Sequence, residues 1–200
     1  PGFTAYYYSN DTANLPGSFL GKLSTTYNLK IVTDSKEYLA TTHIPGQYAS
    51  LDSAWVLPAP NNPDPNKRIL MLSITDPPGR GNYVRYFTKR NTEPFYPGEN
   101  SVFDDQIIDG TTFDIQLAPG LNRNDPPKAD SNFFRKGDTI TVKFADIDKA
   151  TFDFWNTWEF AYQSIGNPFA QPNKVIGNIS NGALGAFCGY APRFKTIIAK

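Results

Sequence analysis

Cys188 and His43 are the only cysteine and the only histidine among 200 residues. A thiolate nucleophile with an imidazole base would have to use both. They lie far apart in sequence, and nothing beside Cys188 in the chain would activate a thiol. Cys188, between Phe187 and Gly189, reads as a small apolar strand residue. His43, within Thr41-Thr42-His43-Ile44, reads as structural. Zinc needs three or four His, Cys or carboxylate ligands, and this supply is too small. Calcium asks only for oxygen, and Asp104, Asp105 and Asp109 cluster, as do Asp146 and Asp148. Neither cluster has the alternating ligands and closing Glu of an EF-hand, and turn or capping duties account for these acids. A glycosidase pair of carboxylates is the remaining hydrolytic option. With 15 Asp in the chain some pair is unavoidable, so an Asp-dependent hydrolase ranks last. Gly79-Arg80-Gly81 and Gly182 to Gly185 do not sit between a strand and a helix, as a phosphate cradle must. There is no Gly-x-Ser-x-Gly elbow. The expectation is a non-enzyme, with no catalytic residue, cofactor or metal assigned.

Binding chemistry is better represented. Trp55, Tyr83, Tyr86, Phe95 and Tyr96 stand near Asn, Asp and Arg, and such rings stack sugars or anchor protein partners. Trp55 lies in a strand pattern and is expected in the core. Within Tyr6-Tyr7-Tyr8, neighbours face opposite sides of a strand, so one ring is expected at a surface. The candidate contacts are therefore Tyr7, Tyr83, Tyr86, Phe95 and Tyr96.

The elements that would position them are mostly strands. Asp outnumbers Glu 15 to 4, while Asn and Pro occur 17 times each and Gly 15. These residues build turns, whereas Glu and Lys favour helices, so the balance predicts a loop-rich β protein. Residues 27–32 alternate apolar and polar, 33–37 make a polar turn, and 38–44 form a second strand. This hairpin ends at Pro45-Gly46, where a domain boundary is expected. Residues 1–45 then form the C-terminal part of one β domain, and residues 46–200 a second. Further strands are expected at 53–57, 68–75, 83–89, 106–108, 112–117, 138–144, 184–190 and 194–198. The turn Asp109-Gly110 should close a hairpin between the fourth and fifth of these. Residues 58–66, 92–100 and 118–132 read as loops. From Ile147 the period becomes helical through Thr151, Phe154/Trp155, Trp158, Ala161/Tyr162 and Ile165. Asp148 can cap this helix, about 148–165, and Gly166 with Pro168 can end it. Trp155 and Trp158 should hold it to a sheet. The fold class is mainly β: a two-sheet antiparallel β-sandwich, Ig-like or related, with one α-helix in its C-terminal half, preceded by part of a second β domain.

Charge narrows the partners. Lys plus Arg and Asp plus Glu both total 19, giving zero formal charge, so the basic excess of a nucleic-acid binder is missing. The longest aliphatic run, Ile69 to Leu72, is too short to span a bilayer. The chain starts at Pro1 without a signal peptide, and a fragment or processed product is expected.

An ordered set of short motifs brings a family into view. Thr41-Thr42-His43-Ile44-Pro45 leads to Leu51-Asp52-Ser53-Ala54-Trp55, then Thr75-Asp76-Pro77 and Gly81-Asn82-Tyr83-Val84-Arg85. Val102-Phe103-Asp104-Asp105 runs to Asp109-Gly110, followed by Lys136-Gly137-Asp138-Thr139 and Phe152-Asp153-Phe154-Trp155. Asn167-Pro168-Phe169 and the stretch 178–185 complete it. Over about residues 20 to 200 this resembles a family of Bacteroidota lipoproteins containing domain of unknown function 4249. The resemblance implies a lipid-anchored β protein of the outer membrane, on the cell surface or the periplasmic face, often beside a TonB-dependent transporter. It implies no catalytic residues. The expected function is a non-enzymatic accessory or scaffolding lipoprotein that binds an envelope protein complex. It would reach the membrane only through a lipid anchor that this chain does not contain. A carbohydrate- or nutrient-binding module is the alternative. The resemblance also implies O-glycosylation at Asp-Ser/Thr-apolar triplets, with Thr12, Ser53 and Thr139 as the acceptors.

Overall fold

The structure is a computed structural model describing residues 20–125, 131–171 and 173–200. Tyr7 and Thr12 lie outside the described residues.

Among the described residues, ten strands and one helix follow in the order β1 (Thr25–Thr33), β2 (Lys36–Ile44), β3 (Ser50–Pro58), β4 (Lys67–Thr75), β5 (Tyr83–Arg90), β6 (Tyr96–Asp104), β7 (Thr112–Leu117), β8 (Phe134–Arg135), β9 (Thr139–Ile147), α1 (Lys149–Gln163) and β10 (Ala191–Ile198). The pairing is antiparallel throughout. Strands β10-β9-β5-β6 form one sheet and β3-β4-β7, with β8 on β4, a second; β1 and β2 form a separate two-stranded sheet, and Ala40 of β2 bridges to Ile179. The sheets do not close into a barrel, and they pack in a sandwich-like arrangement.

Alternation decides what the two sheets share. In β4, Leu70, Leu72 and Ile74 are buried; their partners are Val56, Ala54 and Leu51 on β3 and Leu117, Ile115 and Phe113 on β7. From the other sheet Ile140, Val142 and Phe144 of β9, Tyr86 of β5 and Ile197 of β10 enter the same core. Trp55 corrects the expectation made for it. With Ala54 and Val56 turned inward, its side chain must point to the outer face, where it is half-buried.

The helix begins as its sequence dictates. Asp148 accepts from the Thr151 N–H at 2.8 Å, and Gly166 takes a positive φ of 82° just beyond the last turn. Thr151, Phe154 and Glu159 are its buried residues, while Ile165, expected on the inner face, lies past the helix end and is 75% exposed.

Three expected elements differ. Residues 92–100 are not wholly loop, because β6 starts at Tyr96 and carries an irregularity. Phe87 pairs with Pro97 and Arg85 with Val102, so the strand bulges between them. Gly98 is essential to this bulge, since a Cβ there would lie 1.8 Å from the Tyr86 hydroxyl. The hairpin at Asp109-Gly110 does not form. Residues 105–110 coil as turns closed by the Asp105 carbonyl, and β7 pairs with β4 instead. Residues 184–190 are not a strand. There the Asn178 side chain supplies the partners that a strand would, donating to the Phe187 carbonyl and accepting from its N–H, both at 2.8 Å.

Candidate functional site

His, Asp, Tyr and Lys converge at a cleft between the hairpin, the start of β5 and the N-terminus of α1. Its volume is about 320 Å³, and His43, Tyr48, Asn82, Tyr83, Asp146, Asp148 and Lys149 are among its lining residues. A shallower depression of about 460 Å³ lies on the other side of Tyr48, lined by Gln47, Ser50, Leu51, Arg193 and Phe194. Tyr48 borders both and is 55% exposed.

The two carboxylates of the cleft are already engaged. Asp146 is buried; one oxygen accepts from the Ala49 N–H, and the other pairs with the Arg193 guanidinium. Burial pushes its carboxyl up, with Arg193 pulling against it. Asp148 caps α1 with one oxygen, and the other accepts from the His43 N–H at 2.7 Å and the Thr42 hydroxyl at 3.0 Å. All four oxygens therefore hold protein groups, and neither carboxylate is left poised for proton transfer.

Cys188 and His43 come closer than their sequence separation suggests, for the Gly189 N–H donates to Thr42 Oγ1 at 2.8 Å. They still do not form a nucleophile–base pair. His43 Nδ1 lies 3.0 Å from Thr26 Oγ1, on the opposite side of β2 from the Thr42 side chain. Burial pushes the Cys188 thiol up, with the Thr151 and Tyr190 hydroxyls opposing. A raised thiol is a poor nucleophile at neutral pH. The thiol is half-buried on an irregular segment, which corrects the strand expected around it.

A buried polar network lies under α1. Glu159, 2% exposed, accepts from the Ser101 N–H at 2.7 Å and the Ser101 hydroxyl at 2.5 Å. The same carboxylate faces Arg123 at 3.2 Å and Arg85 at 3.6 Å. Arg85 is also buried, stacked 3.5 Å from the Trp155 ring centre and bonded to Ser101 and Tyr190. Arg123 lies over Trp158 and Tyr162. The bulge of β6 brings Ser101 to the helix, so this network fastens α1 to its sheet.

Asp76, Asp105 and Asp109 form a carboxylate group, with one oxygen from each within 4.8 Å of the others. Backbone donors fill it. Asp105 accepts from the N–H groups of Gly81 and Asn82, Asp109 from Gly79 and Asp76 from Gly110. Burial works against the charge on Asp105, but the Asn82 and Gly81 donors outweigh it and hold the carboxyl below its usual range. Burial, with the Asp105 and Asp109 charges, raises Asp76. The signs are opposite. A lowered carboxyl stabilises the fold above its unfolded pKa, and that contribution is lost as pH falls through the folded value; a raised one acts in reverse. Asp105→Asn should lower stability by about 2 kcal/mol at pH 7, since hydrogen bonds to a charged acceptor weaken. Urea melts should show the deficit shrinking below about pH 4. An equal deficit at pH 7 and pH 3 would sink the assignment.

Across residues 4–196 the sequence matches the family described as domain of unknown function DUF4249. The chain belongs to that family. No curated protein and no solved structure matches it. Among its described residues, no helix is long and apolar enough to cross a membrane.

Within the DUF4249 chain the expected contact residues separate. Tyr83 lines the cleft, its ring 4.9 Å from that of Phe152. Phe95 and Tyr96 are half-buried at the start of β6. Tyr86 is corrected. At 2% exposure it is core, and burial foremost pushes its phenol up to about 12. Ser53 and Thr139 are both exposed. Reading the sequence missed Tyr48, Asp76, Arg85, Lys143 and Glu159. Only Glu159 carried a signal, as one of four glutamates and on the helix stripe through Thr151 and Trp155.

Proposed function

We propose that this DUF4249 chain is a non-enzymatic accessory module of the cell envelope that docks an outer-membrane protein complex, with a TonB-dependent transporter as the leading partner. One observation carries the reading. Of sixteen exposed large apolar side chains among the described residues, eleven fall in residues 20–39 and 160–184, including Val32 at 64%, Phe169 at 92% and Leu184 at 99% exposure. The Ser180 N–H donates to the Leu39 carbonyl and the Ile176 N–H to the Thr157 hydroxyl, so the loop carrying Ile176 and Leu184 is tied to both the hairpin and α1. Concentrated apolar surface of this kind marks protein interfaces. The engaged carboxylates of the cleft favour binding over catalysis.

Co-purification from native membranes in mild detergent tests the proposal. The native chain should elute with an outer-membrane protein identified by mass spectrometry, and Leu39→Asp with Leu184→Asp should release it. Recovery of the native chain only as a free monomer would count decisively against docking. The exposed Tyr48 ring between two depressions favours a second reading, a nutrient- or carbohydrate-binding module. A glycan array answered by the native chain and silenced in Tyr48→Ala would support that reading, and an array blank for both would remove it.

A further inference from the structure

Helix α1 packs on β6 and the Tyr83–Arg85 end of β5, and beyond it Tyr190 lies edge-on to Phe87, while the outer face toward β10 is exposed at Phe194 and Thr196. In one row across three strands stand Phe194, Lys143 and Phe87; in the next stand Thr196, Thr141 and Lys89. These side chains face outward because their neighbours Ile197, Val142 and Tyr86 face the core. Phe95 lies across the second row, with its ring centre 5.8 Å from that of Phe194 and the Lys89 ammonium 5.9 Å from it. Phe194 is 59% exposed. It alone is shared with the depression beside Tyr48.

The charges on this face are unmatched. Among the described residues, the Lys143 ammonium meets the rings of Phe87 at 4.9 Å and Tyr190 at 5.7 Å but no carboxylate; Lys89 likewise meets only Phe95. The Arg85 guanidinium, 4.8 Å from the Phe87 ring centre, faces Glu159, which it shares with Arg123. Burial, helped by Arg85, lowers the Lys143 pKa, which is the direction an arriving anion would reverse. A protein of zero formal charge thus presents a face that is both positive and aromatic. Its complement is an anion with flat, weakly polar faces. A pyranose ring offers C–H groups to the negative face of an aromatic ring, and a uronic acid adds a carboxylate at the ring edge. Phe194 is one strand spacing, about 5 Å, from its register partner Lys143, so a ring on Phe194 can set its edge carboxylate toward the ammonium.

We propose that this face binds an acidic oligosaccharide, with its sugar rings on Phe194 and Phe95 and its carboxylates at Lys143 and Lys89. The site is independent of the protein-docking surface. Calorimetry on the whole chain tests it, with trigalacturonate, its carboxyl-reduced neutral counterpart and phosphatidylglycerol vesicles as probes. Trigalacturonate should bind and weaken with added salt, and the neutral sugar should bind at least tenfold more weakly. Lys143→Gln and Phe194→Ala should each lose tenfold or more, while Lys143→Arg keeps the charge and stays within about threefold. Because Phe194 is exposed, its variant retains the fold and the test survives any misfolding of Lys143→Gln. Equal binding of the neutral sugar, unchanged affinity in both variants, silence with trigalacturonate, or vesicle binding in its place would each overturn the proposal.

Discussion

Glu159→Ala should cost about 3–5 kcal/mol of stability, the range for removing one partner from a buried ion pair. The carboxylate is the only acid within ion-pair reach of Arg85 and Arg123 among the described residues. Arg85 lies 2% exposed under the helix, so it has no water to turn to when Glu159 goes. The Ser101 N–H would lose its acceptor as well. Trp155 stacks on Arg85 and Trp158 on Arg123, so tryptophan fluorescence follows this unfolding in urea. Glu159→Gln keeps an acceptor for Ser101 but not the charge, and should lie between alanine and the native chain. A loss below about 1 kcal/mol for alanine would mean that the guanidiniums find other partners and that the network is not what holds α1. The cost would not measure what the trio adds over an apolar core. Replacing all three charges together with well-packed apolar residues can be neutral.

How much of this was legible before the structure depends on the kind of signal. The strands expected at 68–75 and 138–144 match β4 and β9, because a local pattern bounded by turn residues survives any packing of sheets. The helix was legible for the same reason, with Asp148 marking its start. What escaped depends on side chains acting as backbone. Asn178 occupies the hydrogen bonds of Phe187, so residues 184–190 have strand composition without a strand ladder. Pro97 and Gly98 read as loop, yet they shape the bulge that carries Ser101 to Glu159. Asp109-Gly110 has the residues of a hairpin turn, but the Asp105 carbonyl and the Asp109 carboxylate bind nearby N–H groups and coil the segment instead. The open aromatic face was invisible from sequence, since its rows join strands far apart along the chain, with Phe87, Lys143 and Phe194 meeting only through register.

Asp148→Ala should cost about 3 kcal/mol, and its signature should appear far from the helix it caps. About 1 kcal/mol belongs to the lost N-cap. The remainder belongs to the other carboxylate oxygen, because charge-assisted hydrogen bonds contribute about 1.5–3 kcal/mol. That oxygen holds the His43 N–H and the Thr42 hydroxyl, both on β2. A two-stranded hairpin alone in water is marginal at best. This hairpin pairs with neither larger sheet, so its order rests on side-chain and loop ties: Asp148 to β2, Asn178 to the Thr41 carbonyl, Ser180 to Leu39 and Asn181 to the Glu37 carbonyl. Hydrogen exchange separates the two duties of Asp148. In Asp148→Asn, a good cap without charge, the Thr151 amide should stay protected while the His43 amide exchanges faster. In Asp148→Ala both should exchange faster, and amides along β2 should follow His43. Unchanged protection at His43 in the alanine variant would show that the hairpin is held without Asp148. The docking surface would then lose its link to the helix cap, because Leu39 and Val32 would keep their places whatever happened at residue 148.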